Sequence, residues 1–476
     1  MDAQVRRALE DILGKEGLVA DRTRRLAYES DGLALMSQVP DMVLLPRDTD
    51  ETARCMKVLH EAQIPIVPRG AGTGLSGGAT PVEGGVVIGT ARMRRVLEMN
   101  AEDRYARVEA GLVNVEMTRA SAEHDLFYAP DPSSQKACTI GGNVAENAGG
   151  PHCFKYGSTT RHVLGLVIVT PEGEILDLSG PNPEHEGYDL VGLFVGSEGL
   201  FGIATEITVR LLPKPAVVET LLGLFHDLDP ACESVTEIIA AHLDASALEI
   251  LDRLTIQAVE ASVFRAGYPT GTDAVLLIEV EGHEVEVQST VREIEQILER
   301  HGAFEIRKSR DEFERMKLWA GRKGAFGAMG RIAPDLYVAD VVVPRTRLRE
   351  LVRKTTDICN ELGLKLSNVF HAGDGNLHPN ISYDRRNPDE VKRVLEAGRR
   401  TMQVCVEAGG SLTGEHGVGL EKREEMELMF SADDLDVMES IKLVWDPTSR
   451  MNPGKLIPQR ACREIHTASP FAAEDS

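Results

Sequence analysis

The sequence predicts an α+β protein that is built from two large folding units. The chain has 476 residues, more than one hydrophobic core usually supports. Residues 43–88 have the pattern of short strands, one helix and a glycine-rich loop, whereas the sequence after residue 215 repeats a strand–helix–strand pattern. The Pro-Lys-Pro segment at 213–215 separates the two patterns and marks the predicted boundary.

Composition excludes several classes of function. Apolar residues make up 42% and charged residues 27% of the chain, as in a soluble globular enzyme. The net charge of −23 leaves no basic face for nucleic acid. The longest apolar runs, such as 163–169, are far too short to span a membrane, and residues 1–16 predict an amphipathic helix rather than a signal peptide. We therefore expect a cytoplasmic protein.

The seven cysteines include no CxxC pair. This spacing predicts neither a disulfide framework nor a cysteine zinc site. It also makes an iron–sulfur cluster held by this chain improbable, so the thiols are expected to be buried or exposed without a role.

The first unit begins with a β–α–β pattern. The predicted elements are a strand at 43–45, a helix at 48–61, and strands at 64–67 and 86–88. Asp48 is the expected N-cap of the helix, with Glu51 three residues later.

A glycine-dense loop at 68–78 follows the second strand, and its residues 72–77 match GxGxxG. The dinucleotide-binding fold with that motif requires a helix directly after the loop. Here Pro81 and the pair at 84–85 follow instead and lead into another strand. The loop is therefore expected to bind an anion through its backbone N–H groups, without a nicotinamide-type fold.

Two further glycine-rich segments lie at 138–150 and 195–203, and the latter runs into a predicted strand at 205–211. Each alone is typical of ordinary turns. Three in one unit favour a single extended ligand lying along several loops, such as FAD with its pyrophosphate on the backbone donors.

The second unit shows a weak repeat at 217–251, 274–309 and 336–371. Its clearest strands are predicted at 221–225, 274–280 and 337–343, and its clearest helices at 291–300 and 347–362. We expect an antiparallel sheet that carries helices on one face. No low-complexity linker separates the units, so they are expected to pack closely.

The strongest chemical signal is the segment HAGDGNLHPN at 371–380, followed by a glutamate and a third histidine within 411–417. Two imidazoles and one carboxylate with open positions can form a Lewis-acid site for zinc, iron or manganese. The alternative at this point is that the histidines only make hydrogen bonds within loops.

Six ordered segments carry a family resemblance: the three glycine-rich loops, 371–380, GEHGVG at 414–419 and DPTSRMNPGK at 446–455. Together they resemble the FAD-linked oxidases of the vanillyl-alcohol oxidase and p-cresol methylhydroxylase (PCMH) superfamily. Within it they are most similar to the D subunits of bacterial glycolate oxidases and to D-lactate and D-2-hydroxyglutarate dehydrogenases. The resemblance covers about residues 20–459.

The resemblance implies a two-domain FAD-binding PCMH-type fold with a substrate, or cap, domain. The expected parts are an N-terminal helical segment (1–35), an FAD-binding PCMH-type domain (36–215), a substrate domain with the metal site (216–420), a C-terminal segment returning to the flavin (421–459) and a tail (460–476).

Matching by motif implies a set of FAD-binding residues in the first unit and the C-terminal segment. They are Arg69, Gly70, Ala71, Gly72, Thr73, Gly74, Gly141, Gly142, Asn143, Gly149, Ser197, Glu198, Ile203 and Asn452. Members with covalent FAD often carry histidine in the first loop. Because Thr73 follows Gly72 here, noncovalent FAD is expected.

The same matching implies the catalytic groups. His371, His378 and Glu415 resemble the family's divalent metal ligands, and His416 resembles its general base. The expected substrate-binding residues are Arg322, Arg331 and Asn380. No lysine occurs at 336–340, where the 2-hydroxyglutarate branch carries one, which favours a small monocarboxylate.

The implied reaction is oxidation of a D-2-hydroxy acid, glycolate or D-lactate, by hydride transfer to flavin N5. The electrons then pass to an external acceptor, such as iron–sulfur and second flavin subunits or an electron-transfer flavoprotein. Such partners are also the expected route to a membrane surface. The alternatives are a D-2-hydroxyglutarate-type dehydrogenase, a metallohydrolase and a noncatalytic flavoprotein subunit.

Overall fold

The computed structural model describes residues 2–33, 35–178, 180 and 187–458. The predicted tail at 460–476, with Cys462, lies outside these residues. The six described cysteines are free thiols. Among the described residues, no helix is both long and apolar enough to cross a bilayer.

The elements up to residue 213 form three sheets with short helices between them. The strands are β1 (Leu18–Val19), β2 (Met42–Leu44), β3 (Ile66–Arg69), β4 (Val86–Gly89), β5 (Val96–Asn100), β6 (Tyr105–Glu109), β7 (Leu126–Phe127), β8 (Val163–Val169), β9 (Ile175–Leu178), β10 (Ile203–Arg210) and β11 (Leu212–Pro213). The helices are α1 (Ala3–Leu13), α2 (Arg22–Arg25), α3 (Thr49–Glu61), α4 (Asn114–Ser121), α5 (Ile140–Glu146), α6 (Cys153–Tyr156) and α7 (Leu190–Phe194).

The elements from residue 217 onward form one large sheet and its helices. The strands are β12 (Val217–Phe225), β13 (Ala245–Asp252), β14 (Ala274–Gly282), β15 (Glu305–Lys308), β16 (Asp335–Val338), β17 (Val341–Val342), β18 (Lys365–His371), β19 (Asn376–Leu377) and β20 (Pro379–Tyr383). The helices are α8 (Leu228–Ala240), α9 (Arg253–Glu260), α10 (Glu284–Arg300), α11 (Glu312–Ala328), α12 (Leu348–Glu361), α13 (Pro388–Glu407) and α14 (Ala432–Trp445).

The predicted β–α–β entry is confirmed as β2, α3 and β3. Asp48 caps α3 by accepting from the amide N–H of Glu51 at 2.9 Å. Strands β2, β4 and β3 are parallel neighbours, and β1 adds an antiparallel edge. The glycine loop therefore leaves the C-terminal end of β3 and leads into the adjacent strand β4. The second sheet is antiparallel, in the order β5-β6-β10-β8-β9.

The glycine-rich segment at 138–150, expected to be a loop along an extended ligand, contains helix α5. Thr139 caps this helix, because its Oγ1 accepts from the amide N–H of Gly142 at 3.1 Å. The cap offsets the low helix propensity of the two glycines in the first turn. Gly141 also packs against Ala110, where an added Cβ would lie 2.7 Å from the alanine Cβ. Gly141 thus serves close packing.

The large sheet has the order β15-β12-β14-β13-β18-β19-β17, with β20 joining β18 to β16. Side chains alternate between its faces, so Leu221 and Phe225 pack with helices α8, α10 and α12. Leu222 and Leu224 point to the opposite face. The expectation of helices on one face only is wrong, because α9 and α11 cover this second face.

The strand predicted at 337–343 is divided into β16 and β17. The interruption falls at Ala339 and Asp340, where the chain moves from pairing with β20 to pairing with β19. Because Asp340 lies in this break, the alternation of side chains along a strand does not set the direction of its carboxylate. The Asp340 side chain is fully buried.

The end of the described chain returns to the first sheet. After α14, Met451 forms a parallel bridge with Ile66 of β3, and the amide N–H of Asn452 donates to the Ile66 carbonyl at 2.7 Å. The C-terminal segment therefore lies beside the glycine loop.

Candidate active site

A cavity of about 820 Å³ lies between the first sheets and the second face of the large sheet. One wall, the glycine wall, consists of loop 69–74, the start of α5 and residues 198–204. The opposite wall, the histidine wall, carries residues of α11 and β18, His378 just before β20, Asn380 within β20, and the turn at 415–416.

Most of the residues predicted for the site line this cavity. They are Arg69, Gly70, Ala71, Gly72, Thr73, Gly74, Gly141, Gly142, Asn143, Glu198, Ile203, Arg322, His371, His378, Asn380, Glu415, His416 and Asn452. Gly149, Ser197 and Arg331 are outside its lining.

The glycine wall is a cradle that side chains would fill. Gly72 has φ +70°, and an added Cβ would collide with the Arg69 guanidinium. At Gly70 an added Cβ would lie 2.6 Å from Thr139 Oγ1. Such a surface presents backbone groups to a ligand, which fits the pyrophosphate of a dinucleotide.

Asn452 joins the C-terminal segment to this wall. Its Nδ2 donates to the carbonyls of Gly78 at 3.0 Å and Glu198 at 2.7 Å, and its side chain is buried. Lys455 Nζ donates to the Asn452 Oδ1. The side chain thus fixes three segments of the cavity rim relative to one another.

The histidine wall begins with a cross-strand pair. Glu249 on β13 lies opposite His371 on β18, and both point to the face that α11 covers. His371 Nδ1 lies 2.8 Å from Glu249 Oε1, and its Nε2 lies 3.1 Å from Glu415 Oε1. His378 Nε2 is also 3.1 Å from Glu415 Oε1.

This arrangement fits a divalent cation. Two Nε2 atoms and one carboxylate oxygen converge on one point, which is a two-histidine, one-carboxylate donor set. The Glu249 carboxylate beside Nδ1 holds His371 so that Nε2 faces that point. Burial alone would lower the pKa of His371, but the carboxylates of Glu249 and Glu415 raise it to about 10. The negative charge gathered here thus favours a bound cation.

His416 stands next to this cluster. Its ring stacks on that of His378 with centroids 5.0 Å apart and an interplanar angle of 2°. Burial lowers the pKa of His416 to about 4. The imidazole is therefore neutral near pH 7 and has a nitrogen lone pair that can accept a proton.

The predicted substrate arginines differ in their surroundings. Arg322 on α11 lines the cavity and is buried against Glu249, with Nε at 2.6 Å and Nη2 at 2.5 Å from Glu249 Oε2. Arg331 is exposed and the structure does not bring it to the cavity. Asn380 lies on the wall, where its Nδ2 donates to the His378 carbonyl at 2.8 Å.

Two of the predicted FAD residues lie behind the cavity lining. Ser197 is buried. Gly149 lies against the histidine wall, where an added Cβ would be 2.6 Å from Glu415 Oε2. Gly149 is thus a point at which the two walls touch.

Sequence reasoning missed Glu249 and Asp340. Glu249 could have been found from strand alternation in β13, because within that strand it is the charged residue between Ala247 and Leu251, two apolar residues on the same face. Burial alone would raise the pKa of Asp340, but Lys422 and the imidazoles of His416 and His378 lower it well below its usual range. No local pattern signals this residue.

A second cluster, the interdomain lock, joins the two walls at the side of the cavity. His152 Nδ1 lies 2.8 Å from Asp131 Oδ2, and its Nε2 lies 3.0 Å from Glu279 Oε1 on β14. Lys323 Nζ on α11 donates to the same Asp131 oxygen at 2.7 Å. These partly buried ion pairs hold the first unit against the second.

A glycine-lined cradle that faces histidines and carboxylates across one cavity is typical of an enzyme with a bound organic cofactor. The family comparisons identify that cofactor. The model described as "FAD binding domain" matches residues 40–179, and "FAD linked oxidases, C-terminal domain" matches residues 214–456. The chain belongs to the FAD-linked oxidase family and is an oxidoreductase with an FAD-binding domain.

Individual proteins agree with this assignment. The chain is 43% identical to the glycolate oxidase subunit GlcD of Escherichia coli K12, over 98% of this chain and 92% of that protein. It is 30% identical to the D-lactate dehydrogenase of Anaerostipes hadrus, over 94% of this chain and 96% of that protein. The crystal structure of p-cresol methylhydroxylase with bound substrate superposes with a TM-score of 0.81 at 16% identity, covering 95% and 96% of the two chains. The predicted PCMH-type fold is confirmed.

Proposed function

We propose that this protein is an FAD-dependent dehydrogenase that oxidises a small D-2-hydroxy acid, glycolate or D-lactate, to the 2-oxo acid. The observation that carries the proposal is the histidine wall, which puts a cation-type donor set and a neutral imidazole into the same cavity as the FAD cradle. The names of the relatives, glycolate oxidase subunit and D-lactate dehydrogenase, support the same substrate class.

The glycine wall binds FAD noncovalently in this proposal. Its backbone N–H groups take the pyrophosphate, and Thr73 in the loop offers no imidazole for a covalent link. When bound, FAD supplies the acceptor for a hydride at N5. Asn452 holds the rim of the cradle through its two carbonyl contacts.

His371, His378 and Glu415 hold a divalent cation, zinc, iron or manganese, in this proposal. The cation supplies Lewis acidity that lowers the pKa of a substrate hydroxyl. Glu249 keeps His371 oriented by its 2.8 Å contact with Nδ1. Replacing Glu249 therefore affects the cation even though it makes no direct contact with it.

His416 accepts the hydroxyl proton. Its position beside His378 brings the ring next to the substrate atoms that a cation would hold, and its neutral form at pH 7 is the form a base requires. Removal of this proton prepares the Cα–H bond for loss of its hydride.

Arg322 and Asn380 orient the substrate. The contacts with Glu249 use Nε and Nη2 of Arg322, and we assign Nη1 to the substrate carboxylate. Asn380, held by the His378 carbonyl, is assigned to the substrate's other oxygens. Arg322 is the one buried guanidinium among the described residues of the histidine wall, which favours a monocarboxylate over a dicarboxylate.

Electrons leave reduced FAD for an external acceptor in this proposal. Iron–sulfur and second flavin subunits are the first choice, since one relative is named as a subunit of glycolate oxidase. An electron-transfer flavoprotein is the alternative. The cytoplasmic location, with membrane contact only through such partners, is part of the proposal and rests on the sequence.

The test is anaerobic stopped-flow absorbance of the FAD-loaded protein. Glycolate and D-lactate are expected to bleach the flavin band rapidly, L-lactate slowly, and D-2-hydroxyglutarate weakly. Fast bleaching by D-2-hydroxyglutarate alone would move the assignment to the dicarboxylate branch. Hydrolytic turnover without bleaching by any acid would support a metallohydrolase, and a loaded protein inert in both assays would support a noncatalytic subunit.

A further inference from the structure

Asp340 is the buried carboxylate at the break between β16 and β17, and its oxygens have an unusual number of donors. The hydroxyl of Thr413 donates to Oδ2 at 2.6 Å, and the amide N–H groups of Gly414 and His416 donate to the same oxygen at 2.8 and 3.0 Å. The amide of Glu415 is 3.2 Å away. Three consecutive backbone amides around one carboxylate form an anion-binding nest.

These contacts determine where the loop presents its side chains. Glu415 and His416 belong to a turn rather than to a helix or strand, so no secondary structure fixes their direction. The Asp340 carboxylate fixes their direction instead, because it accepts hydrogen bonds from the backbone amides of residues 414–416 and so links the turn to the large sheet. Displacement of this carboxylate therefore moves a proposed cation ligand and the proposed base together.

The other side of Asp340 faces two imidazoles. Its Oδ1 lies 3.6 Å from His378 Nδ1, and one ring nitrogen of His416 lies within 4.8 Å of an Asp340 carboxylate oxygen. The Nδ1 atoms of His378 and His416 are buried and have no hydrogen-bond partner. A buried N–H without an acceptor is costly, and the Asp340 carboxylate lies beside both rings.

Lys422 balances the charge of Asp340. Its Nζ donates to Asp340 Oδ2 at 3.2 Å and to the Asp340 carbonyl at 3.1 Å, and both side chains are fully buried. A paired carboxylate of this kind stays ionised in the interior. It is thus a permanent acceptor beside the two rings.

We propose that Asp340 is a positioning residue that holds the 413–416 turn and keeps the proton of His416, and of cation-bound His378, on Nδ1. The Nε2 lone pair of His378 is then directed at the cation, and that of His416 at the substrate proton. The inference deepens the proposed function and rests on it for the roles of the two Nε2 atoms.

The direct test is the ring-nitrogen NMR spectrum of histidine-labelled, FAD-loaded protein, with His416 assigned from the spectrum of a His416→Asn variant. The wild type is expected to show the Nδ1–H form of His416. In Asp340→Asn this form is expected to lose its dominance. A wild-type Nε2–H form, or an unchanged tautomer in Asp340→Asn, would overturn the inference.

The second readout is cation affinity, measured by Zn²⁺ titration of the FAD-loaded protein. Asp340→Asn is expected to weaken binding about 10–100-fold, the usual effect of losing a carboxylate behind a histidine ligand. Unchanged affinity would contradict the role assigned to Asp340. Because neither readout uses substrate, a protein that fails to oxidise any hydroxy acid would refute the proposed function while leaving this inference testable.

Two further variants separate positioning from folding. Asp340→Asn with Lys422→Met removes the buried charge that the single change leaves unpaired, and it is expected to fold and to repeat both effects. Asp252→Asn is the matched control, since Asp252 is a partly buried carboxylate that also accepts from the amides of Thr255 and Asn368. It is expected to lower the melting temperature but to leave the His416 tautomer and Zn²⁺ affinity unchanged. Equal changes in both variants would reduce Asp340 to a structural role.

Discussion

The two walls of the cavity are built in opposite ways. The glycine wall depends on the absence of side chains: an added Cβ at Gly70 or Gly72 would occupy the cradle or collide with a neighbour. The histidine wall is made of side chains, and one of them, His371, is held by the carboxylate of Glu249 behind it. We therefore expect substitutions that enlarge a side chain to impair the glycine wall, and substitutions that remove side-chain atoms to impair the histidine wall.

The largest effect is expected from removing the proposed base. His416→Ala should lower the rate of flavin bleaching by D-lactate about 10²–10⁴-fold, the usual contribution of a general base. The glycine wall is untouched, so the protein should stay yellow. Stopped-flow absorbance measures the rate, and FAD content is the control. A wild-type rate would eliminate His416 as the base.

Loss of a proposed ligand should affect cation and activity together. His378→Ala removes one of the two nitrogens that converge on Glu415, so bound metal and bleaching by glycolate should both fall below about a tenth of wild type. Elemental analysis and stopped-flow absorbance on one sample check this. Full metal content in the variant would contradict the ligand assignment.

A larger side chain on the glycine wall should weaken FAD binding without affecting cation binding at the histidine wall. Gly72→Val places a β-branched side chain at φ +70° and against Arg69. FAD affinity is expected to fall about tenfold or more, as measured by fluorescence titration, while Zn²⁺ affinity stays unchanged. Gly330→Ala is the matched control, because nothing lies within 4 Å of its added Cβ. Equal FAD affinity in Gly72→Val and wild type would contradict the cradle.

Gly149→Ala should create a steric clash between the first unit and the histidine wall. Its Cβ would press on Glu415 Oε2 from the side of the first unit. Zn²⁺ affinity is expected to drop several-fold with little change in FAD affinity, which reverses the result for Gly72→Val. The FAD and Zn²⁺ titrations described for Gly72→Val measure both affinities. A loss of FAD affinity alone would show that Gly149 belongs to the cradle.

The smallest effect concerns the interdomain lock. Burial alone would lower the pKa of His152, but the carboxylates of Asp131 and Glu279 raise it to about 10. The stabilisation by the imidazolium is therefore complete below the unfolded pKa of about 6.5 and is lost as pH rises towards 10.

His152→Gln should consequently lower the melting temperature by a few degrees at pH 6, and the difference from wild type should shrink by pH 10. Thermal unfolding followed by circular dichroism across this range measures it. A difference that stays constant with pH would mean that His152 contributes by packing alone.

Secondary-structure elements were predicted best where they depend on residues close together in the chain. The cap of α3 and the apolar run at 221–225 need only neighbours in the chain, and both are present, the latter within β12. Helix α5 was missed because glycine content argues against a helix, whereas the Thr139 cap and the packing of Gly141 on Ala110 decide in its favour. Local propensity was overridden by a tertiary contact.

The candidate site was predictable in its motif residues but not in its support. His371, His378 and Glu415 stand in recognisable segments, yet Glu249 joins them only through the pairing of β13 with β18. Asp340 reaches the turn at 413–416 from more than 70 positions away in the chain. Such partners depend on strand order and on a break in a strand, and neither is encoded by a local pattern.

The central claim is that the cation ligands and the flavin share one cavity. Anomalous diffraction from crystals of the FAD-loaded protein grown with Mn²⁺ tests this directly. We predict one strong peak among His371, His378 and Glu415, with the isoalloxazine ring in the same cavity. A peak elsewhere, or a flavin ring that lies outside the cavity, would contradict it.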